Sequence, residues 1–496
     1  MSDDNSTYLQ LDPADNVSVV LGVDDSIPAG HKKATEAIKT GQAVRKFNQI
    51  IGFASVDIAA GDHVHTHNCD FASFERDYAY GKHSVATEFV PQNERATFMG
   101  FERGNGRVGT RNYIGVLSTV NCSATVAKHI AAEIDKSGVL ENFPNIDGIV
   151  GLAHGMGCCM DAQDEGYANL QRVLNGYIRH PNFGAVLLIG LGCEVNQVSY
   201  LLDNYGLGQS KTFQTMVMQD MGGTRKTVEA GVDRIKAILP GVNAIERSPL
   251  SVSELSVALQ CGGSDGYSGI TANPAMGAAV DILVRQGGTA ILSETPEIYG
   301  AEHLLTSRAA SREVGERLIE RIRWWEDYTA RNGGVMDNNP TPGNKAGGLT
   351  TILEKSLGAA AKGGTTNLNG VYKYGEPVDA KGFVFMDSPG YDPCSITGQV
   401  ASGANLVCFS TGRGSAFGFK PAPSIKLATN TPMFKRLEED MDIDCGGIVD
   451  GKNSVAEVGQ EIFDYLVAVA SGQPSKSEML GYGDNEFVPW QIGTVM

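Results

Sequence analysis

The chain has 496 residues, 42% of them apolar and 20% charged, a soluble balance too long for one core, so two or three domains are expected. Its 40 basic and 57 acidic residues give a net charge of −17, which excludes a nucleic-acid binder with its basic footprint. No apolar run approaches the roughly 20 residues of a membrane span. The acidic start MSDDNSTYLQ is unlike a signal peptide, and nine cysteines without disulfide-like spacing suit a reducing cytoplasm.

Residues 13–85 read as a small β-rich domain. Val17 to Leu21 gives a strand, Ile27 to His31 a turn, Ala34 to Ile38 one or two helical turns, and Ile51 to Ile58 a further apolar stretch. A second turn at 58–62 echoes the first (DIAAGD against SIPAGH). His63, His65 and His67 then alternate beside Asn68. On a strand their side chains share one face, and gathered imidazoles suit a divalent transition metal. An exposed edge strand with merely polar histidines has the same spacing. Residues 70–104 are polar without periodicity, and 86–105 read as a linker.

From Arg111 the pattern becomes strand, small-residue loop, helix. NYIGVLSTV (112–120) leads into Asn121-Cys122-Ser123 and a helix from Ala124. DGIVGLA (147–153) leads into His154 to Cys159 and a long helix to about Ile178. GAVLLIGLG (184–192) leads into Cys193-Glu194. This alternation indicates parallel βαβ units, with ligands expected at the strands' carboxyl ends. The first α/β domain is placed at 106–245 and a second at 246–496. There SVALQ (256–260) leads into Cys261-Gly262-Gly263-Ser264-Asp265, TAILS (289–293) into Glu294 and Glu297, and LVCFS (406–410) into Thr411-Gly412-Arg413. A Gly/Pro/Asn-rich loop at 333–348 carries Lys345.

The 61 glycines, about twice the usual ~7%, cluster in these loops, where backbone approaches a ligand or turns tightly. Cys122, Cys158, Cys193 and Cys261 each follow an apolar run. They are either small buried hydrophobes or thiols converging on iron or an iron–sulfur cluster. The loops at 262–266 and 411–414 resemble anion cradles but match no Walker or dinucleotide fingerprint.

Taken together, GHKKA (30–34), HVHTHN (63–68), GRVGTRNY (106–113), TVNC (119–122), HGMGC (154–158), GLGCEVNQ (190–197), QCGGSDGYSGITANPAMG (260–277), ETPEIYGAE (294–302), NPTPGNKAGG (339–348), EKSLG (354–358) and STGRG (410–414) resemble the altronate/galactarate dehydratase family. The resemblance implies an α/β fold in which a small N-terminal β-rich SAF-like (β-clip) domain precedes two α/β domains with mainly parallel sheets. It implies dehydration of a hexonate or hexarate to a 2-keto-3-deoxy sugar acid with divalent iron; manganese and an iron–sulfur cluster stay open. Within the matched stretches His154, Glu194, Glu294, Glu297 and Lys345 are the acid–base candidates. Asn68, Gly263, Ser264, Asp265 and Arg413 are the substrate contacts, and His65, His67, Cys122, Cys158, Cys193 and Cys261 the metal ligands. Sulfite elimination from sulfolactate and non-catalytic binding of a sugar acid are the competing readings. The expected partner is a small sugar acid, without nucleic acid or membrane, and a homo-oligomer is left open.

Overall fold

A computed structural model describes residues 7–22, 24, 26–104 and 106–494. The N-terminal unit holds two small antiparallel sheets, one ordered Tyr8–Leu9, Val17–Val20, Lys32–Ala34, His63–Val64 and one ordered Ala43–Lys46, Gln49–Ala54, Cys69–Asp70. Val17, Ile38, Val44, Ile51, Ile58 and Val64 fill the space between them. The hairpin at 46–49 turns through Phe47 and Asn48, both at positive φ, as a two-residue type I′ turn requires. The Asp15 carboxylate offsets that strain by accepting both turn amides, at 3.0 and 2.7 Å.

The helical turns expected at 34–38 do not form. Their amides bond across strands instead, Thr35 N to Asn16 O and Ile38 N to Ile58 O, so no i−4 ladder is available. The expected linker is only partly one. Thr97–Glu102 is a strand paired antiparallel with Ser248–Ser251 and with Val108–Gly109, which pins the junction of the two α/β parts. The stretch before it runs over the C-terminal part, held by an Arg76–Glu302 ion pair at 2.8 Å and by Gly81 N to Thr306 O.

The middle part is a four-stranded parallel sheet ordered Gly148–Leu152, Tyr113–Ser118, Phe183–Gly190, Phe213–Val217. Its strands read as apolar runs because both faces are covered, as parallel sheets require. The helix after Cys159 begins only at Glu165, where the Asp164 carboxylate caps Gly166 N.

The C-terminal part is a seven-stranded sheet, all parallel, ordered Leu368–Tyr372, Gly382–Met386, Thr289–Leu292, Ser256–Cys261, Leu406–Thr411, Ser424–Ala428, Ile443–Asp444. The chain first adds strands on one side of Ser256–Cys261 and then, from Leu406, on the other. That reversal is the switch point at which open α/β sheets bind ligands. One continuous core joins the N-terminal unit to this sheet, and another joins the middle part to it.

Candidate active site

Three histidines of the N-terminal unit meet at its edge. Lys32–Ala34 pairs with His63–Val64, which sets His31 beside His63, Nδ1 to Nε2 at 3.0 Å. The ring nitrogens of His31, His63 and His65 lie within 4.8 Å of one another. His67 is not in this set. The strand ends at Val64, and Asn68 then folds the chain into a turn by accepting His65 N and donating to the His63 carbonyl, both at 2.9 Å. That turn leaves His67 exposed, its ring 5.4 Å from that of His63 but outside the set of ligand atoms, where His31 takes its place. Burial holds His63 and His65 down to about 4, hence neutral near pH 7, and buried His65 Nδ1 has no hydrogen-bond partner. Neutral, closely spaced imidazoles with an orphaned nitrogen fit a divalent transition metal.

This set abuts loops from the carboxyl end of the seven-stranded sheet. His31 Nε2 lies 3.4 Å from the Ala346 carbonyl. Asn344 Nδ2 donates to Ser264 O at 2.9 Å, and Gly266 N to Gly347 O at 2.8 Å. Gly263, exposed and at φ +65, accepts the amides of Gly412 and Arg413. Asp265 is buried and already saturated by Thr429, Ser268, Tyr267 N and Asn430. It therefore fastens the loops and has no free oxygen for a ligand. Two cations project from this platform, Arg413 exposed and Lys345 half-buried. Among the described residues neither has an ion pair within 4 Å.

Beneath the platform lies a buried polar network at the switch point. Lys362 Nζ donates to Cys261 Sγ at 3.0 Å, and that thiol donates to Glu297 at 3.4 Å. Lys355 Nζ binds Glu297 at 2.6 Å and Asn339 at 2.7 Å. Glu294 stands at φ +71 with both carboxylate oxygens buried and without a hydrogen-bond partner, Lys362 Nζ lying 4.0 Å away, a strained conformation of the kind held at functional sites. Burial, then the charge of Glu297, push Glu294 well above the usual carboxylate range. Burial also works against charge on Glu297, but Lys355 and Lys362 outweigh it and hold Glu297 low. Two neighbouring carboxylates thus differ in protonation, the pattern of an acid–base pair. Burial pushes the Cys261 thiol up to about 12. With lysines on the network, Cys261 stands apart from the other three cysteines expected to join it.

Asp392 was not among the sequence candidates. It is half-buried at the start of the helix Asp392–Ala401, and burial followed by Glu297 raises it to about 6. A side chain at Gly262 would collide with its carboxylate, and one at Gly263 would crowd Thr411 and Arg413. The diglycine thus separates a titratable carboxylate from an unpaired guanidinium. Only the glycine pair hints at this in the sequence.

In the middle part, Cys122, Cys158 and Cys193 leave adjacent strands and are all exposed. Cys158 and Cys159 sulfurs lie 3.7 Å apart. The Cys158 thiol is raised, first by Cys159 and further by Cys122 and Cys193. His154 is buried with both ring nitrogens engaged, on Ser118 O and Met156 N. Glu194 accepts Thr119 Oγ1 and the Leu191 and Gly192 amides. Both residues brace loops, and neither has a free atom for a substrate.

Gathered imidazoles, unpaired cations over a glycine platform and carboxylates of split proton affinity define an acid–base enzyme of the α/β class. The family models agree in chain order. Residues 6–72 match the altronate/galactarate dehydratase SAF domain, 100–243 the D-galactarate dehydratase/altronate hydrolase second domain, and 252–495 the D-galactarate/altronate dehydratase C-terminal region. The chain is 36% identical over 459 residues to an altronate dehydratase of Bacillus subtilis, covering 92% of this chain and 90% of that protein. It is 34% identical to a galactarate dehydratase (L-threo-forming) of Escherichia coli, covering 94% and 93%. It is 32% identical to the beta subunit of a (2R)-sulfolactate sulfo-lyase of Chromohalobacter salexigens, covering 79% and 96%. The chain belongs to the altronate/galactarate dehydratase family and is accordingly a hydro-lyase.

Proposed function

We propose that this enzyme removes water from a hexonate or hexarate, altronate- or galactarate-like, to give a 2-keto-3-deoxy sugar acid, with divalent iron held by His31, His63 and His65. The observation that carries the reading is the contact of the histidine set, through His31 and Ala346, with a platform bearing two unpaired cations. Manganese suits the same nitrogen ligands. The free thiols among the described residues suit a reducing cytoplasm.

Removing a proton beside a carboxylate builds negative charge that needs local stabilisation. Iron held by His31, His63 and His65 would supply Lewis acidity to offset that charge. Arg413 anchors the distal carboxylate or hydroxyls through its planar fork, and Lys345 neutralises charge from the opposite loop. Asp392, as carboxylate, takes the C2 proton onto Oδ across the diglycine. The C3–O bond breaks as Lys345 gives its proton to the departing hydroxyl, which leaves as water, and the resulting enol ketonises to the 2-keto acid. Burial, and then the charge of Glu297 behind Asp392, raise that carboxylate's proton affinity.

The test is a substrate panel of altronate, galactarate, a sugar phosphate and sulfolactate with ferrous iron, scoring 2-keto acid by semicarbazide and sulfite separately. The expected result is keto acid from a hexonate or hexarate. Arg413→Lys should raise KM about 10–100-fold, the scale of a charged hydrogen bond of ~1.5–3 kcal/mol. Sulfite release from sulfolactate as the faster reaction, or wild-type kinetics in Arg413→Lys, would overturn the assignment.

A further inference from the structure

The dehydratase reading uses the N-terminal and C-terminal parts and leaves the carboxyl edge of the middle sheet unexplained. Three adjacent parallel strands, Gly148–Leu152, Tyr113–Ser118 and Phe183–Gly190, each lead directly to exposed cysteine. Cys158 and Cys159 lie in the loop after the first, Cys122 in the opening turn of the helix Asn121–Lys136 after the second, and Cys193 in the loop after the third. Of the nine cysteines, Cys69, Cys261, Cys394, Cys408 and Cys445 are buried, and the exposed ones all belong to this one edge. Free cysteine is ordinarily among the most buried residue types, so an exposed group of four on one rim calls for a ligand.

The rim is built rather than loose. Asn121 N donates to Met156 O at 2.9 Å, Val195 N to Cys158 O at 3.1 Å and Asn196 N to Gly157 O at 3.0 Å. Asn196 Nδ2 reaches Thr119 O at 2.8 Å. Gly157 stands at φ +100, where a side chain would strike the Thr119 carbonyl. His154 and Glu194, both buried, spend their polar atoms holding these same loops. Such bracing is what a preorganised ligand set needs.

Thiolates select zinc, cuprous copper or iron–sulfur clusters. The span decides among them. Two bonds of ~2.3 Å keep the ligands of a single ion within about 4.6 Å of each other. Among the described residues, sets of three ligand atoms within 4.8 Å occur at the histidines and at Cys261/Glu294/Glu297, and not at these cysteines. The spacing is too wide for one ion. We propose that Cys122, Cys158 and Cys193 are the protein ligands of an iron–sulfur cluster of the [4Fe–4S] class, with one iron left free of protein thiolate. The three thiols each lose a proton as they ligate, and the preassembled cluster enters without net electron transfer. Cys159, next in sequence to a ligand, is a spare thiol.

The full chain, purified anaerobically and reconstituted with ferric iron, sulfide and dithiothreitol, is assayed for iron, acid-labile sulfide and visible absorption. About five iron and about four acid-labile sulfide per chain are expected, the fifth iron being that of the histidine set. Cys122→Ser, Cys158→Ser and Cys193→Ser should each lose most of the sulfide and the visible band, with far-UV dichroism unchanged because the side chains are exposed. Cys159→Ser should keep both. His65→Ala should lose only iron without matching sulfide, so this result and the histidine-site reading fail separately. Wild type without acid-labile sulfide, a single tightly held zinc in its place, or equal loss from Cys159→Ser would overturn the proposal.

Discussion

At the scale of single residues, chemistry and fold are decided by what surrounds a carboxylate. Glu294 and Glu297 are three positions apart, yet burial keeps one protonated while Lys355 keeps the other ionised. Asp392 lies between these extremes, at about 6 and half-buried. A base must be unprotonated to act, so turnover should rise as pH climbs through about 6. Asp392→Asn should remove that acid limb and cost about 10²–10⁴-fold in kcat, the usual contribution of a positioned acid–base group. A pH–rate profile of both proteins checks this; an unchanged acid limb in the variant removes Asp392 from the mechanism. The carboxylates Glu294 and Glu297 stand out in the sequence because they follow a strand end. Lys362 does not, since it lies in an alanine- and glycine-rich helix end and meets Cys261 across 101 positions. No local pattern encodes such a contact.

At the scale of elements, buried parallel strands are the most readable part of the sequence. Tyr113–Ser118 and Phe183–Gly190 are covered on both faces and so appear as unbroken apolar runs ending in small residues. Short irregular pieces are not readable in this way. The histidine run alternates like a strand, but Asn68 turns it after Val64, and the third member of the set, His31, immediately precedes the partner strand Lys32–Ala34, 32 positions before His63. Pairing register, invisible to a local reading, assembles the set. Asn68 touches no ring nitrogen; it holds the backbone of His63 and His65. Asn68→Ala should therefore weaken iron binding about 10–100-fold, as loss of outer partners of a metal site does. Its cost in stability should be only about 1–3 kcal/mol. Parallel iron titration and denaturant melts separate the two effects, and unchanged iron affinity would show that the turn does not position the rings.

At the scale of the molecule, the N-terminal unit is fastened to the C-terminal part by a buried ion triad. Glu354, on the helix Ile352–Ala361, binds Lys32 at 2.8 Å and Lys46 at 3.0 Å, and all three side chains are almost wholly enclosed. Burial alone would raise the Glu354 carboxyl, but the two lysines outweigh it and hold it well below the usual range. Its contribution to stability is thus complete above the unfolded carboxylate value of ~4.3 and drains away as pH falls below it. Burial depresses Lys32, a cost carried in full at acid pH and relieved only as pH rises, so it adds no slope to the acid limb. Glu354→Gln strands two buried cations and should cost about 3–5 kcal/mol at neutral pH, with a flatter acid limb than wild type. Buried ion groups are often replaceable by apolar residues without loss of stability, so the triad's value here lies in orientation. The next residue, Lys355, is the partner of Glu297, and the same helical turn that docks the histidine-bearing unit delivers that lysine to the acid–base network. The triple substitution Lys32→Met, Lys46→Met, Glu354→Leu should then melt at or near the wild-type temperature while kcat/KM falls at least tenfold. A triple variant as active as wild type would mean that the triad is only an expensive form of packing, and that the docking of the two parts is fixed by their shared apolar core alone.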